Sequence, residues 1–579
     1  MCGIAGIIGK IDDGTSKIQA MLQKQQHRGP DAHAYWHKDL VTFGHNRLSI
    51  IDLNECANQP MHSSCQRYTL VFNGEIYNYK ELKKELENEY SFQTHSDTEV
   101  VLAAFKKWGK NMLERLNGMF AFCIYDQQDK TVFAARDRFG VKPFHYAIHA
   151  GCLYFASEIK TLWAAGIPKV RNLPVWANYL AHGMYGLPHE TFWQDIHQLP
   201  ASHYFETTSN SLFSKNRIKP KLWYDFAARI QQTPQLEIDE LKTQYQYLLQ
   251  DAIRLRFRAD VPVGFNISGG LDSSTLLALV NDAYPKNSSI EAFTFYTGHP
   301  EYDELLWVEQ MIQLTRNPLN KCLLESNDVA ALIDQVSYYQ DEPYGGFPTL
   351  AYSLLFKAAR EKGILVLLDG QGMDEAWAGY DYYQTNTGHT IQGTNSSPVR
   401  PGVLDNEFIA LATVNKFPEP FGNRLQNLQY RDLFYTKIPR ALRFNDRISM
   451  MHSTELREPF LDYRLVELAF AQKADVKIKQ GQSKWLLRQI VKDKLGDQVA
   501  LAPKRPLQTP QREWIARELK DLIDHKVNEF ADTPFVNKAA VLKCWADYLG
   551  GDNENSFYIW QWTNLATLME PDYVNHATI

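Results

Sequence analysis

The chain has 579 residues, 44% of them hydrophobic and 22% charged, with a formal net charge of −6 at pH 7. That length is too great for one ordinary core and implies two to four domains, and the composition is that of a folded globular protein. The acidic balance and the lack of a Lys/Arg stripe argue against nucleic acid, and neither a membrane helix nor a secretory signal is expected, since no apolar run is long enough and the first residues lack a charged segment before an apolar one.

The chain opens with Met1 and the apolar, glycine-punctuated segment Cys2–Gly9. Removal of Met1 makes Cys2 the first residue, which then carries a nucleophilic thiol and an α-amine able to act as its base, the logic of an N-terminal nucleophile. Taken alone, such a cysteine reads better as a buried residue at the start of a strand. The other cysteines are Cys56, Cys65, Cys123, Cys152, Cys322 and Cys544, an odd total with no C-x-x-C pair. Neither a disulfide framework nor a cysteine zinc site is expected, and a reducing cytoplasm fits.

Residues 1 to about 200 read as mostly β, with strands predicted near Tyr68–Phe72, Ala121–Tyr125, Thr131–Ala135 and Leu153–Ala156. Helices are predicted over Lys80–Glu89 and over Thr98–Trp108, the second capped by Ser96. The polar stretch Thr207–Lys221 reads as a boundary. The pattern then changes. A long helix is predicted over Leu236–Arg256, followed by strands at Val261–Ile267, Ala292–Tyr296 and Ile364–Leu368 with helices between them. Such alternation implies a parallel sheet flanked by helices, with ligands at the carboxyl ends of its strands. The last stretch, about 510–579, reads as helical.

Ser268-Gly269-Gly270-Leu271-Asp272-Ser273-Ser274 stands where a strand passes into a helix. Its glycines permit close approach of a ligand, and the helix start offers free N–H groups to a phosphate. Ser268, Ser273 and Ser274 add hydroxyls, and Asp272 suits Mg²⁺. No G-x-x-x-x-G-K-[ST] motif is present, which disfavours a Walker-type nucleotidase. A second glycine loop with acids, Asp369-Gly370-Gln371-Gly372-Met373-Asp374-Glu375, follows another strand. If the strands are neighbours, Asp272 and Asp374 share one metal.

These pieces together resemble the glutamine-hydrolysing asparagine synthetases. The N-terminal resemblance lies in Cys2–Gly6, His27–Asp31, Arg47–Ile50, Phe72–Asn78, Ser96–Glu99, Gly118–Phe122, Ala135–Gly140 and Phe155–Lys160, the pattern of a class II glutamine amidotransferase. In the C-terminal part Ser268–Ser274 is similar to the loop of ATP-pyrophosphatase-type synthetases, joined by Asp446–Met450, Arg457–Asp462, Ser483-Lys484 and Leu487-Arg488. The resemblance implies an α+β N-terminal domain, a four-layer αββα N-terminal-nucleophile sandwich over 2–206. A linker over 207–235 and an α/β parallel-sheet domain with a helical C-terminal extension over 236–579 follow.

It also implies roles. Cys2 attacks the amide of glutamine, and Asn73 with the Gly74 N–H forms the oxyanion hole. Arg47, within Arg47-Leu48-Ser49-Ile50-Ile51, holds the substrate carboxylate, while Glu75 and Asp97 hold its ammonium. ATP lies across Ser268, Gly269, Gly270, Asp272, Ser273 and Ser274, with the adenine near Asn266 and Phe295 and the backbone of Asp369 and Gly370 closing the pocket. Asp272 and Asp374 hold Mg²⁺, and Lys484 steadies charge at the adenylated carboxyl. The implied substrates are glutamine, aspartate and ATP, with no nucleic-acid or membrane partner; a homodimer is compatible. Where many family members read Ser-Gly-Glu-Gly, this chain reads Asp369-Gly370-Gln371-Gly372. Gln371 keeps the hydrogen-bonding shape of that glutamate but not its charge, which leaves open another acceptor, such as a sugar acid or a secondary-metabolite precursor. A glutaminase without adenylation and a non-catalytic relative are the remaining alternatives, and the stretch Arg505–Pro510 is assigned no role.

Overall fold

The computed structural model describes every residue except 209–217, 285–289, 386–396, 506–507 and 570–579. Much of the Thr207–Lys221 stretch, part of Arg505–Pro510 and the end of the helical C-terminal region therefore lie outside the described residues. In the N-terminal half twelve strands form two antiparallel sheets. The first runs Ile196–Gln198 (β10), His145–His149 (β8), Cys152–Ala156 (β9), Gly3–Ile8 (β1), Val41–Arg47 (β3) and Ala32–Lys38 (β2). The second runs Lys221–Leu222 (β12), His203–Thr208 (β11), Thr131–Arg136 (β7), Gly118–Asp126 (β6), Tyr68–Ile76 (β5) and Met61–His62 (β4).

The alternation along β1 explains the layering. Ile4 and Ile8 enter the core between the sheets, where Phe43 and Phe155 meet Val71 and Cys123 of the second sheet. Ala5 and Ile7 point the other way, onto Ile18 and Met21 of the helix Gly14–Lys24. A strand covered on both faces reads as a continuous apolar run, as Cys2–Ile8 does. The second sheet is covered in turn by the helix Asp97–Trp108, with Val100 and Val101 packed into one core with Leu70 and Phe72. The order of layers is α/β/β/α. Ser96 caps that helix, its side chain accepting from the Thr98 N–H at 3.2 Å.

Residues 263 to 457 contribute a five-stranded sheet in the order Leu319–Leu323 (β15), Ala292–Tyr296 (β14), Val263–Asn266 (β13), Val366–Leu368 (β16) and Glu455–Arg457 (β17). Every neighbouring pair in it is parallel. Strand order reverses at β13, which has β14 on one side and β16 on the other. The carboxyl ends of β13 and β16 therefore frame the crevice where ligands of open parallel sheets bind. The C-terminal helices close the far side, with Trp514, Ile523, Trp560 and Leu565 in one core with Phe293 and Phe347. No helix among the described residues is long and apolar enough to cross a membrane, and none of the seven cysteines is in a disulfide.

The two halves meet across buried charges. Arg28 is fully buried and bonds Glu158 of its own half at 3.0 Å and Asp446 of the other at 2.9 Å. Lys160 joins Glu158 at 2.6 Å to Asp341 at 3.2 Å. Removing one partner of such a network leaves an uncompensated buried charge, at a cost of about 3–5 kcal/mol. Arg28→Met is therefore expected to lower the thermal transition by several degrees. An unchanged melting curve would show that the two halves are held by other contacts.

Candidate active sites

Cys2 lies at the head of β1 and is 8% exposed. Its N–H donates to Asn73 Oδ1 at 3.0 Å, and its Sγ lies 3.9 Å from the Leu48 carbonyl. Burial pushes the thiol above its usual range, opposed by the terminal ammonium, the contact with Leu48 and the charge of Arg47. The Asn73 amide is thus pinned by its oxygen, while its Nδ2 is buried with no hydrogen-bond partner. An orphaned buried donor costs about 1–3 kcal/mol, and beside a thiol it is a donor held ready for a developing oxyanion.

Asn73-Gly74, a dipeptide that often marks a hairpin turn, lies inside β5, because β6 pairs with that strand along its whole length. A Cβ at Gly74 would fall 2.1 Å from the Met119 carbonyl oxygen, so only glycine lets the strands approach here.

The terminal ammonium of Met1 is buried and bonds Glu455 Oε2 of the C-terminal half at 2.7 Å. Arg457 bonds the same carboxylate at 2.6 Å and stands 3.4 Å from Glu75. Against the cost of burial, the ammonium and Arg457 hold the Glu455 carboxyl down to about 2. Glu75 is pushed well upward by burial and by the charge of Glu455. Asp97 accepts the Ile76 N–H at 2.8 Å, and burial raises its carboxyl to about 6. Cys2, Asn73, Gly74, Glu75 and Asp97 therefore converge around the chain terminus.

Arg47 commits its guanidinium to the following loop, donating to Asn54 O and Asn58 Oδ1 at 2.8 Å each and also to the Asp52 carbonyl. In the segment after it, the Ser49 N–H donates to Asp31 at 2.7 Å, the Ile50 carbonyl accepts from Asp260 at 2.8 Å, and Leu48 and Ile51 are buried.

The second site is a cavity of about 390 Å³ at the reversal point of the parallel sheet, lined by residues 268–273 after β13 and 369–371 after β16. Gly269 has φ +71°, and a Cβ there would meet Trp307 at 2.7 Å, so the loop folds tightly only with glycine. The helix Leu271–Ala283 starts at the cavity and presents its first N–H groups to it. Asn266 and Phe295 line a smaller adjoining pocket that shares Ser268, Ser273, Glu304, Tyr352 and Asp369 with the main one. Ser274 does not line either; its hydroxyl is fully buried behind the loop. Asp369, raised by burial to about 6, accepts the Gly370 N–H at 2.6 Å.

Asp272 and Asp374, 102 residues apart in sequence, meet at Lys484. Its Nζ lies 2.6 Å from Asp272 Oδ2 and 2.6 Å from Asp374 Oδ1. Lys504 bonds the other oxygen of Asp374. Against burial, these two lysines hold the Asp374 carboxyl well below the usual range. Lys484 itself sits in the left-handed region at φ 55°, a conformation costing on the order of 1–3 kcal/mol for a residue with a Cβ and one that concentrates at functional positions. Among the described residues no three His, Cys, Asp or Glu side chains could hold a metal by themselves. Two carboxylates on a phosphate-sized cavity do suit Mg²⁺, which takes its remaining ligands from phosphates and water.

Residues 1–217 match the glutamine amidotransferase domain family, and residues 244–570 match the asparagine synthase family. The chain belongs to the asparagine synthase family. It is 26% identical to asparagine synthetase (glutamine-hydrolysing) 1 of Bacillus subtilis, over 100% of this chain and 99% of that protein. It is 33% identical to a putative asparagine synthetase (glutamine-hydrolysing) 2 of Methanocaldococcus jannaschii, over 66% of this chain and 76% of that one. It is also 26% identical to amidase chry2 of Gibberella zeae, over 91% of this chain and 92% of that one.

Within this family frame, several residues at the second cavity carried no readable signal. Glu304, Tyr380, Lys437, Arg440, Lys504 and Arg505 all line it. Arg505 opens the stretch Arg505–Pro510, to which the sequence assigns no role, and Lys504 directly precedes it. In the first site, Glu455 lies within no motif that links it to the chain terminus.

The raised carboxyl of Asp97 has a stability consequence. With its ordinary value of 3.8 moved to about 6 on folding, ionising Asp97 disfavours the folded state at neutral pH and has no effect below about pH 4. Asp97→Asn is expected to stabilise the protein at pH 8, by on the order of 1–3 kcal/mol, with no gain at pH 4. Thermal melts at the two pH values read this directly, and destabilisation at pH 8 would contradict it.

Proposed function

We propose that the chain hydrolyses glutamine at Cys2 in its N-terminal half, residues 2–206, and uses the ammonia to amidate a carboxylate activated by ATP in its C-terminal half, residues 236–579. The observation that carries this reading is the meeting of Asp272, Asp374 and Lys484 on a glycine-loop cavity at the sheet's reversal point, in the same chain as a buried Cys2–Asn73 pair.

With Met1 removed, the Cys2 amine takes the thiol proton and the sulfur attacks the side-chain carbonyl carbon of glutamine. Asn73 Nδ2 and the Gly74 N–H receive the oxyanion. Collapse expels ammonia, and water then cleaves the thioester to glutamate. Glu75 and Asp97 hold the substrate ammonium. Arg47, whose planar fork suits a carboxylate, holds the substrate carboxylate beside the loop carbonyls of Asp52 and Asn54 that it already binds.

In the second site the acceptor carboxylate attacks the α-phosphorus of ATP, pyrophosphate leaves, and ammonia displaces AMP from the acyl-adenylate. Asn266 and Phe295 flank the adenine, and Ser268, Ser273 and the loop N–H groups cradle the phosphates. Lys484 supplies positive charge at the adenylated carboxyl. Mg²⁺ held by Asp272 and Asp374 would neutralise charge on the triphosphate.

The names of the relatives point to L-aspartate as the acceptor, giving L-asparagine. A second reading, another carboxylate, is favoured by Gln371, an amide on the cavity wall where many family members carry glutamate.

The protein supplied with ATP, Mg²⁺, glutamine and an acceptor is expected to release pyrophosphate and glutamate in equal amounts. Cys2→Ala should abolish the glutamine-driven reaction and spare the ammonium-driven one. Asn73→Ala should lower glutamine hydrolysis about 10²–10³-fold. Loss of ammonium-driven pyrophosphate release in Cys2→Ala would sink the two-site scheme.

A further inference from the structure

Both ends of the ATP cavity carry charge. Toward the adjoining Asn266–Phe295 pocket stand Asp369 and Glu304, the latter raised by burial to about 7 against the charges of Arg505 and Lys504. At the opposite end Arg440 lines both the main cavity and a second one of about 70 Å³ between the two halves of the chain, bordered by Tyr185, Phe434 and Arg443. This end holds cations that touch no carboxylate among the described residues. Lys437 makes no ion pair among the described residues and lies 5.2 Å from the ring of Tyr380 and 5.4 Å from that of Tyr382. Arg440 likewise has no ion pair and rests 5.4 Å from the Tyr185 ring.

The acids nearest them already hold hydrogen-bond or ion-pair partners. Asp272 and Asp374 are held by Lys484 and Lys504. Glu375 accepts the Tyr380 hydroxyl at 2.6 Å. Asp432, the nearest acid on the Lys437 side, accepts from Tyr382 and Tyr383 at 2.8 Å each and from Arg431 at 2.9 Å. Glu190, the acid of the second cavity, accepts the Leu187 N–H at 2.8 Å. Gln371 supplies a neutral amide. Burial, with the neighbouring charge of Arg440, lowers the Lys437 ammonium to about 8, against the opposing charges of Asp432 and Glu375.

An α-ammonium group at this end would compete with protein donors for carboxylates that already accept hydrogen bonds and would be repelled by Lys437 and Arg440, whereas an anion meets two cations that make no ion pair among the described residues. Resting on the adenylating reaction proposed above, we infer that the acceptor is a carboxylic acid without an ammonium group that carries a second anionic group, phosphate or carboxylate, held by Lys437 and Arg440. Past Arg440 lies the second cavity, of about 70 Å³, beside Tyr185. The reaction that supplies the acceptor must leave a free carboxylate on an already anionic molecule.

The test offers ATP, Mg²⁺ and ammonium chloride with four acceptors: L-aspartate, succinate, D-glucuronate and D-glucuronate 1-phosphate. Acceptor-dependent pyrophosphate is followed, and ATP binding is measured by calorimetry on the same samples. The expected result is a kcat/KM at least tenfold higher for succinate than for L-aspartate, or for the sugar acid phosphate than for D-glucuronate; which of the two holds tells carboxylate from phosphate as the second anion. Arg440→Ala should raise the KM of the preferred acid at least tenfold and leave the KM of ATP unchanged, with partial recovery in Arg440→Lys. L-aspartate as the best of the four overturns the inference and leaves adenylation standing, as does an Arg440→Ala variant that shifts the KM of ATP and acceptor alike. ATP bound with none of the four used also overturns it. A protein that binds no ATP overturns the adenylating reaction itself.

Discussion

One guanidinium joins the parts of this molecule. Arg28 donates through Nε to the carbonyl of Cys2 at 3.1 Å, through one terminal nitrogen to Glu158 at 3.0 Å and Asp446 at 2.9 Å, and through the other to Asp446 at 3.2 Å. It therefore touches the candidate nucleophile's backbone, its own domain and the facing domain at once. A charge this deeply buried is tolerated only with all its partners in place, because desolvating it alone costs several kcal/mol. The planar fork of arginine makes that geometry directional in a way a lysine ammonium does not. The position of Cys2 and the docking of the two halves are consequently one constraint.

A second buried charge cluster repeats the logic and links the two sites. Glu455, at the start of the edge strand β17, receives the chain terminus, while Arg457 at its other end reaches Glu75. The Arg457 carbonyl accepts the Asp369 N–H at 2.9 Å, and Asp369 begins a loop that walls the second cavity. Two adjacent strands thus connect the surroundings of Cys2 to the surroundings of Lys484. Ammonia set free into water at neutral pH is protonated and lost as a nucleophile, so a reaction that passes it between sites benefits from a frame without slack.

Legibility in the sequence followed the range of the interaction. The β-branched and aromatic residues of Tyr68–Phe72 and Thr131–Ala135 marked strands because such side chains pack well on a pleated surface, and Ser96 marked a helix start because a cap acts within three residues. Strand ends were less legible: β5 runs on through Asn73-Gly74 because a partner strand is available, which local turn preference does not report. The glycine loop at Ser268–Ser273 was readable as a phosphate cradle, yet Ser274 in the same motif turns away from the cavity. The cations at the far end of the cavity were unreadable, since Lys437 and Arg440 precede and occupy a helix whose pattern is that of an ordinary amphipathic segment.

By itself the sequence determined the family, and it singled out Cys2, Asn73 and the Ser268–Ser274 loop as candidate nucleophile, oxyanion amide and phosphate loop, because each is a short motif whose chemistry is carried by neighbouring residues. Only the tertiary structure decided that Asp272 and Asp374 close on one lysine, that the chain terminus is seated on Glu455, and that Lys437 and Arg440 line the same cavity as that lysine. Those facts depend on strand order and domain docking. Such contacts join residues a hundred or more positions apart through packing and buried charge, and no local pattern encodes that distance.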